Sequence, residues 1–418
     1  MKMEIRPIAS SMLRNRTGPI LICLQIALTL ALVVNSVFII QLQMEKIARP
    51  LGTDVDNTAN FNVALVDPLD DMEAFVKNDL DEIRRIPGII DATIVLTPLH
   101  AGGGMSNGYR SVSETNTGQV TNVSVNEIDE HGLNTLGVEL LYGRNFRADE
   151  VPYPAPNVQL GPPKVVLVTE SLARKLVPDS EVADIVGKVI YQGDLDTTPI
   201  EIIGIMADVA AHWINYSGEF ADEAAYHFML SPMVQTWIGE GHNYVFRTEP
   251  GAQDRLMAEV TDKLYEINPD RLLYDPTTQA EIIRRNHEGN VAIATILGVI
   301  SVLMIMVTSF GIVGLASFTV NQRTRQIGTR RALGAKRRDI FRYFLVENIL
   351  LTTIGVVLGS ALAYGVHLFL FSIMHIPRMS FSLIPVGVVV LYVLGFVAVI
   401  GPARRATRVA PAVASRAV

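Results

Sequence analysis

Four long apolar runs constrain this chain more than any other feature. A helix that spans a bilayer needs about 20 mostly apolar residues to cross about 30 Å of hydrocarbon. The run "GPILICLQIALTLALVVNSVFIIQL" at 18–42 meets that length, and so do the runs at 288–320, at 344–372 with Glu347 near its start, and at 381–401. The apolar core of a cleaved leader is about 7–15 residues and ends at a small-residue cleavage site. The first run is longer and no A-x-A pattern follows it, so a retained anchor is expected. Composition agrees: charged residues make up 18% of the 418, against roughly 25% in soluble domains.

The cations orient the runs. Lys2, Arg6, Arg14 and Arg16 precede the first, and Arg404, Arg405, Arg408 and Arg416 follow the fourth. Between the second and third lies "NQRTRQIGTRRALGAKRRDIFRYF", with Arg323, Arg325, Arg330, Arg331, Lys336, Arg337, Arg338 and Arg342 against one acid, Asp339. The turn at 373–380 carries only Arg378. Lys and Arg near helix ends stay cytoplasmic. The expected topology is therefore a cytoplasmic amphipathic segment at 1–17, a cytoplasmic loop at 321–343, a cytoplasmic tail at 402–418, and an extracytoplasmic segment at 43–287. Residues 44–287 hold 38 acids and 18 bases (−20), and the remainder 4 acids and 17 bases (+13), which sum to the net −7. Basic residues confined to membrane boundaries argue against nucleic-acid binding.

The long segment is large enough for its own core and reads as mixed α/β. "FNVALV" and "IIDATIVL" are strand-like and flank "DDMEAFVKNDLDEIRRI", where Met72, Phe75, Val76, Leu80, Ile83 and Ile86 fall at helical spacing before Pro87-Gly88. "PKVVLVTESLARKLVP" reads as strand, Thr169 cap and short helix, and "IEIIGIMADV" as a further strand. "NYVFRTEP" then leads into "AQDRLMAEVTDKLYEIN", a strand and helix stopped at Asn268-Pro269. Two lobes are expected, the first from the ends of the segment and the second from its middle.

No catalytic signature is present. The glycine-rich "HAGGGMSNGYRS" lacks the Lys-Ser or Lys-Thr pair of a phosphate-binding loop and reads as a flexible loop or hairpin tip. His212, His227 and His242 stand in no short ligand spacing, and no nucleophile elbow or zinc-helix motif occurs. The single cysteine, Cys23, lies in an apolar run and excludes an intrachain disulfide. No metal, cofactor or catalysis is expected in this chain.

Within the membrane-associated part, Gly334 divides the basic segment into two helical pieces. Gly355, Gly359 and Ala363 are spaced for close backbone approach between helices. Glu347, costly in a membrane helix unless paired, is expected at the boundary opposite Arg342 or another loop cation.

"RTRQIGTRRALGAKRRDIFRYFLVENILLTTIGVVLGSALAYG" resembles the signature of FtsX-domain permeases, and "GPARRATRVAPAVASR" is similar to that family's C-terminal motif. "IDEHGLNTLGVELLYGRNFRADE" and "VVLVTESLARKLVP" are similar to the extracytoplasmic domain of MacB-type transporters. The acid usual before Ile-Gly is Gln326 here. The resemblance implies an FtsX-like domain over about 288–411 in the bacterial inner membrane, within a stand-alone permease of four transmembrane helices. A two-lobed α/β periplasmic domain would sit between the first and second helices. ATP and Mg would belong to a separate ABC ATPase, docked on Arg325, Ile327, Gly328, Arg330, Arg331, Ala332, Leu333 and Gly334. A second permease subunit, a periplasmic membrane-fusion adaptor, an outer-membrane channel and membrane lipid are the further partners implied. Efflux of a peptide, antibiotic or similar amphiphile by mechanotransmission is the expected role. Regulation of a cell-wall hydrolase, antibiotic sensing, lipoprotein release and a membrane-anchored enzyme remain open at this point.

Overall fold

A computed structural model describes residues 16–65, 71–111, 120–154, 158, 160–193, 198–213, 224–235, 241–374 and 376–409. Residues 1–15 of the expected amphipathic segment and 410–418 of the expected tail lie outside them, and 402–407 continue helix Leu383–Thr407. In chain order the elements begin with α1 (Thr17–Ile47), β1 (Thr58–Leu65), α2 (Met72–Arg84), β2 (Ile89–Val95), β3 (Met105–Ser111) and β4 (Thr121–Ile128). There follow α3 (Gly132–Leu136), β5 (Leu140–Gly143), β6 (Val165–Thr169), α4 (Glu170–Leu176), β7 (Val189–Gln192), β8 (Ile200–Met206) and β9 (Phe228–Pro232). The last are β10 (His242–Thr248), α5 (Gln253–Ile267), β11 (Arg271–Thr278), α6 (Gln279–Gln322), α7 (Thr324–Ala332), α8 (Arg337–Met374) and α9 (Leu383–Thr407). The chain divides into two compact units, one of Met1–Glu45 with Asn290–Val418, the other of Lys46–Gly289.

In the α/β unit, β11, β1, β10 and β2 form an antiparallel array. Its inward side chains, among them Phe61, Tyr244 and Phe246, share a cluster with Val76, Leu80 and Ile83 of α2 and Leu256, Val260 and Leu264 of α5. Helical spacing puts each of these triplets on one face. Asp71 caps α2 by accepting from the Ala74 amide at 2.9 Å.

The strands from the middle of the segment close on themselves. β4 pairs β3, β3 pairs β7, β7 pairs β8, β8 pairs β6, β6 pairs β9, and β9 returns to β4 in parallel. The array and the ring meet at a single register pair, Val95 with Ile128. Alternation along a strand sends successive side chains to opposite faces. Val166 and Val168 of β6 therefore enter a cluster with Leu172 and Leu176 of α4, while Leu167 enters the α2/α5 cluster. Burial on both faces explains why "VVLVT" is continuously apolar.

Two local expectations need correction. Met105–Ser111, expected in a loop or hairpin tip, is strand β3, paired on both edges. Buried Tyr109 and Ser111 hold it there despite the glycines. Thr169 does stand at the start of α4, but its hydroxyl donates to the Tyr226 carbonyl at 2.6 Å. The Asp208 carboxylate takes over its capping role, accepting from the Ser171 amide at 2.9 Å and from its hydroxyl at 2.5 Å.

In the helical unit, α1, α6, α8 and α9 are each long and apolar enough to cross a membrane. Two of them start upstream of the apolar runs. The Thr278 hydroxyl caps α6 by accepting from the Glu281 amide, and Arg284 and Arg285 then pair with Glu281. Helix-stabilising contacts of this kind extend the backbone beyond the hydrophobic stretch.

Candidate functional site

The basic segment folds as α7, a tight reversal, and the first turns of α8. At the end of α7 the Ala335 amide donates to the Arg330 carbonyl at 3.0 Å, and the Gly334 amide to the Arg331 carbonyl at 3.1 Å. Those two bonds form a Schellman cap, and Gly334 occupies its left-handed position with φ +98°. The segment's one acid has a similar local task. The Asp339 carboxylate accepts from the Lys336 amide at 3.0 Å, which caps the N-terminus of α8.

The structure separates the candidate docking residues into two sets. Arg325, Arg330, Ala332 and Gly334 are exposed, and Leu333 is 82% exposed at the reversal. Ile327 and Gly328 face inward instead, and Ile327 packs in a cluster with Ile340 and Phe344. The expectation that Ile327 offers apolar contact to a partner is corrected accordingly: at 5% exposure it anchors α7 to α8. Arg331 is also engaged, donating to the carbonyls of Thr407 (3.2 Å) and Val409 at the end of α9. The outward surface is thus an apolar tip at the end of a helix whose first and last turns each expose a guanidinium group. Arg330 also lies over the Tyr343 ring, 5.2 Å from its centroid.

Glu347 is buried, and its ion-pair partner is Arg323 at 3.2 Å, not Arg342. Five residues along an α-helix turn the side chain by about 140°, which sends Arg342 to another face. Arg323 sits at the N-cap of α7 and also donates to the Tyr343 hydroxyl at 2.7 Å. No sequence period links residues 24 positions apart, so this pair was not findable from spacing.

Gly355 and Gly359 of α8 lie against α1. A Cβ on Gly355 would come within 2.7 Å of Ile26, and one on Gly359 within 2.9 Å of the Ala27 backbone. One turn further on, Ala363 is fully buried and its carbonyl accepts from the Asn35 amide at 3.1 Å. The three small residues make one continuous track for α1. The Thr29 and Thr308 hydroxyls meet at 2.6 Å, tying α1 to α6.

The histidines of the α/β unit are individually placed. His212 pairs with the Ser124 hydroxyl at 2.8 Å, and His242 Nδ1 with the Val63 carbonyl at 3.3 Å. Among the described residues no group of three His, Cys, Asp or Glu could hold a metal ion. Asp79 and Arg271 form a fully buried bidentate pair at 2.7 and 3.0 Å, with the Tyr244 hydroxyl donating to Asp79. Glu127 is buried with no cation paired to it among the described residues, and burial pushes its carboxyl up to about 7.

Comparison with known proteins places these regions. Residues 20–263 match the model of the MacB-like periplasmic core domain, and residues 298–411 that of the FtsX-like permease C-terminal domain. A Chromobacterium violaceum protein, "Macrolide export ATP-binding/permease protein MacB", is 26% identical over 69% of this chain and 42% of its own length. A Bacillus subtilis protein, "Uncharacterized ABC transporter permease YknZ", is 22% identical over 82% of this chain and 79% of its own. A Pseudomonas fluorescens protein, "Pyoverdine export ATP-binding/permease protein PvdT", is 26% identical over 60% of this chain and 37% of its own. The chain therefore spans less than half the length of the two export proteins.

Proposed function

The chain belongs to the family of FtsX-like permeases with a MacB-like periplasmic core, and on that premise we propose that it is the membrane subunit of an ABC exporter driven by ATP hydrolysis on a separate subunit. The observation that carries this reading is the outward surface of α7. A helix closed by a Schellman cap presents Leu333 at its end, with Arg330 in its last turn and Arg325 in its first both exposed, while Ile327 fastens its inner side. A rigid apolar tip with charged flanks suits insertion into a pocket of another protein, where a central apolar anchor supplies most of the affinity.

In this reading the basic segment and both termini are cytoplasmic, and 43–287 is a periplasmic domain of two lobes between the first and second membrane helices. The antiparallel array and the strand ring would be those lobes. ATP and Mg stay with the ATPase, whose closure pushes α7 and is passed through the helices to the periplasmic domain. The permease works as a pair, a second permease subunit lying beside it. The names of the relatives, macrolide and pyoverdine exporters, point to amphiphilic natural products as the substrate class. An adaptor and outer-membrane channel would complete the export route.

The test is co-purification from the native membrane with and without Arg330→Glu plus Leu333→Glu. The wild type is expected to retain an ATPase subunit, and the double variant to insert normally and lose at least tenfold of it. Full retention by the variant would remove α7 as the docking element. A native complex of the wild type without any ATPase would remove the proposed activity itself.

A further inference from the structure

A cavity of 220 Å³ opens within the helical unit among α1, α6, α8 and α9. Its walls are of two kinds. Ile312, Leu315, Leu351 and Val399 give an apolar side, and Arg323, Glu347 and Asn348 a polar one. Asn348 is the informative member. It is 6% exposed, lines the cavity, and its carboxamide makes no hydrogen bond to any described residue. The carboxamide is not sealed off, as the Thr352 hydroxyl is, so it opens onto the cavity and its partner belongs there. Water could meet the amide, but it would leave the apolar side wetted, whereas an amphiphile satisfies both walls.

Charge narrows the choice of amphiphile. Arg323 and Glu347 stand 3.2 Å apart and cancel formally. The polar wall thus offers one cation and one carboxylate, which complements a head carrying both signs and gives no net pull to an anion. We propose that this cavity is a binding site for a zwitterionic phospholipid with an ethanolamine head. Its ammonium lies at Glu347, its phosphodiester at Arg323, its glycerol ester on the Asn348 amide, and an acyl chain runs along Ile312, Leu315 and Leu351. The lipid enters between two groups that otherwise pair with each other, so its presence loosens the Arg323–Glu347 contact. The site stands whether or not an ATPase docks on α7.

The experiment uses the full-length protein, purified in detergent and stripped of lipid, with unfolding temperature and native mass spectrometry as readouts. Three probes are titrated: dioleoylphosphatidylethanolamine, dioleoylphosphatidylglycerol and water-soluble glycerophosphoethanolamine. The ethanolamine lipid is expected to bind saturably and raise the unfolding temperature, the glycerol lipid to bind at least fivefold more weakly, and the chainless head not at all. Asn348→Leu is expected to keep or raise the stability of the stripped protein while losing at least fivefold in affinity for the ethanolamine lipid. A purely structural Asn348 would leave that affinity unchanged. Leu315→Trp, which fills the apolar side, gives the same loss if Asn348→Leu does not fold. Equal affinity for the anionic lipid, binding of the chainless head, or unchanged affinity in the folded variants would each overturn the site.

Discussion

The two units of this molecule each bury an ion pair, and they do so in opposite ways. In the α/β unit, Arg271 and Asp79 are both at 0% side-chain exposure, joined by two guanidinium hydrogen bonds, with a tyrosine hydroxyl donating to Asp79 and the Asn268 carbonyl accepting from Arg271. In the helical unit, Nη1 of Arg323 reaches both Glu347 oxygens at 3.2 and 3.4 Å and the Tyr343 hydroxyl at 2.7 Å, beside a cavity and with 20% and 11% of the Arg323 and Glu347 side chains exposed. A sealed bidentate pair has nowhere else to go, and removing one partner strands a charge. A loosely held pair beside open space can exchange partners. Buried charge therefore serves rigidity in one unit and leaves room for change in the other.

That contrast can be broken most directly at Arg271. Arg271→Met should destabilise the α/β unit by about 3–5 kcal/mol, the usual cost of leaving a buried charge unpaired, read as a fall in unfolding temperature of the full-length protein. A loss below about 1 kcal/mol would mean that the sealed pair is no more structural than the open one.

Glu127 sharpens the comparison, because it is a buried carboxyl with no cation paired to it among the described residues. Its folded pKa of about 7 stands above the ordinary 4.5. The folded chain therefore holds the proton more tightly than the unfolded one, and this contribution to stability is complete below about pH 4.5 and lost as pH rises through 7. Over that range the wild type should lose up to about 3 kcal/mol relative to Glu127→Gln. Parallel pH–stability curves for the two would show that the carboxyl is solvated.

The smallest effect tests where the helical unit is rigid. Gly359→Val must displace the Ala27 backbone and should cost about 1–3 kcal/mol through overpacking. Gly298→Val on α6, where no atom lies within 4 Å, should change stability by less than about 0.5 kcal/mol. Equal effects would mean that α8 does not grip α1 through its small residues.

Sequence reading located the apolar runs and the alternation of strands and helices, because periodicity and length are local properties. Helix α1 shows where that reading stops. It is as apolar as α6, yet 56% of its membrane window is buried against 11% for α6. The difference comes from contacts on three other helices, Gly355 and Gly359 of α8, Gly387 of α9, and Thr308 and Gly311 of α6. The break at Gly334 was legible, because the bonds that close α7 there run to carbonyls a few residues away. The cap reading failed at Thr169, where Asp208 arrives from the loop after β8. For Glu347 a cation of the basic segment was expected and found, but its identity as Arg323 was beyond what spacing could give. Ile327 was misjudged because a nine-residue helix with cations all round gives no hint of which side is inward.

One residue belongs to both the outward helix and the cavity. Arg323 sits at the N-cap of α7, while its guanidinium lies on Glu347. Gly334 closes the far end of α7 and Ile327 fastens its middle to α8. If a partner docks on α7 as proposed, a push at Leu333 would reach Arg323 at the other end of the same short helix, and through it the contact with Glu347.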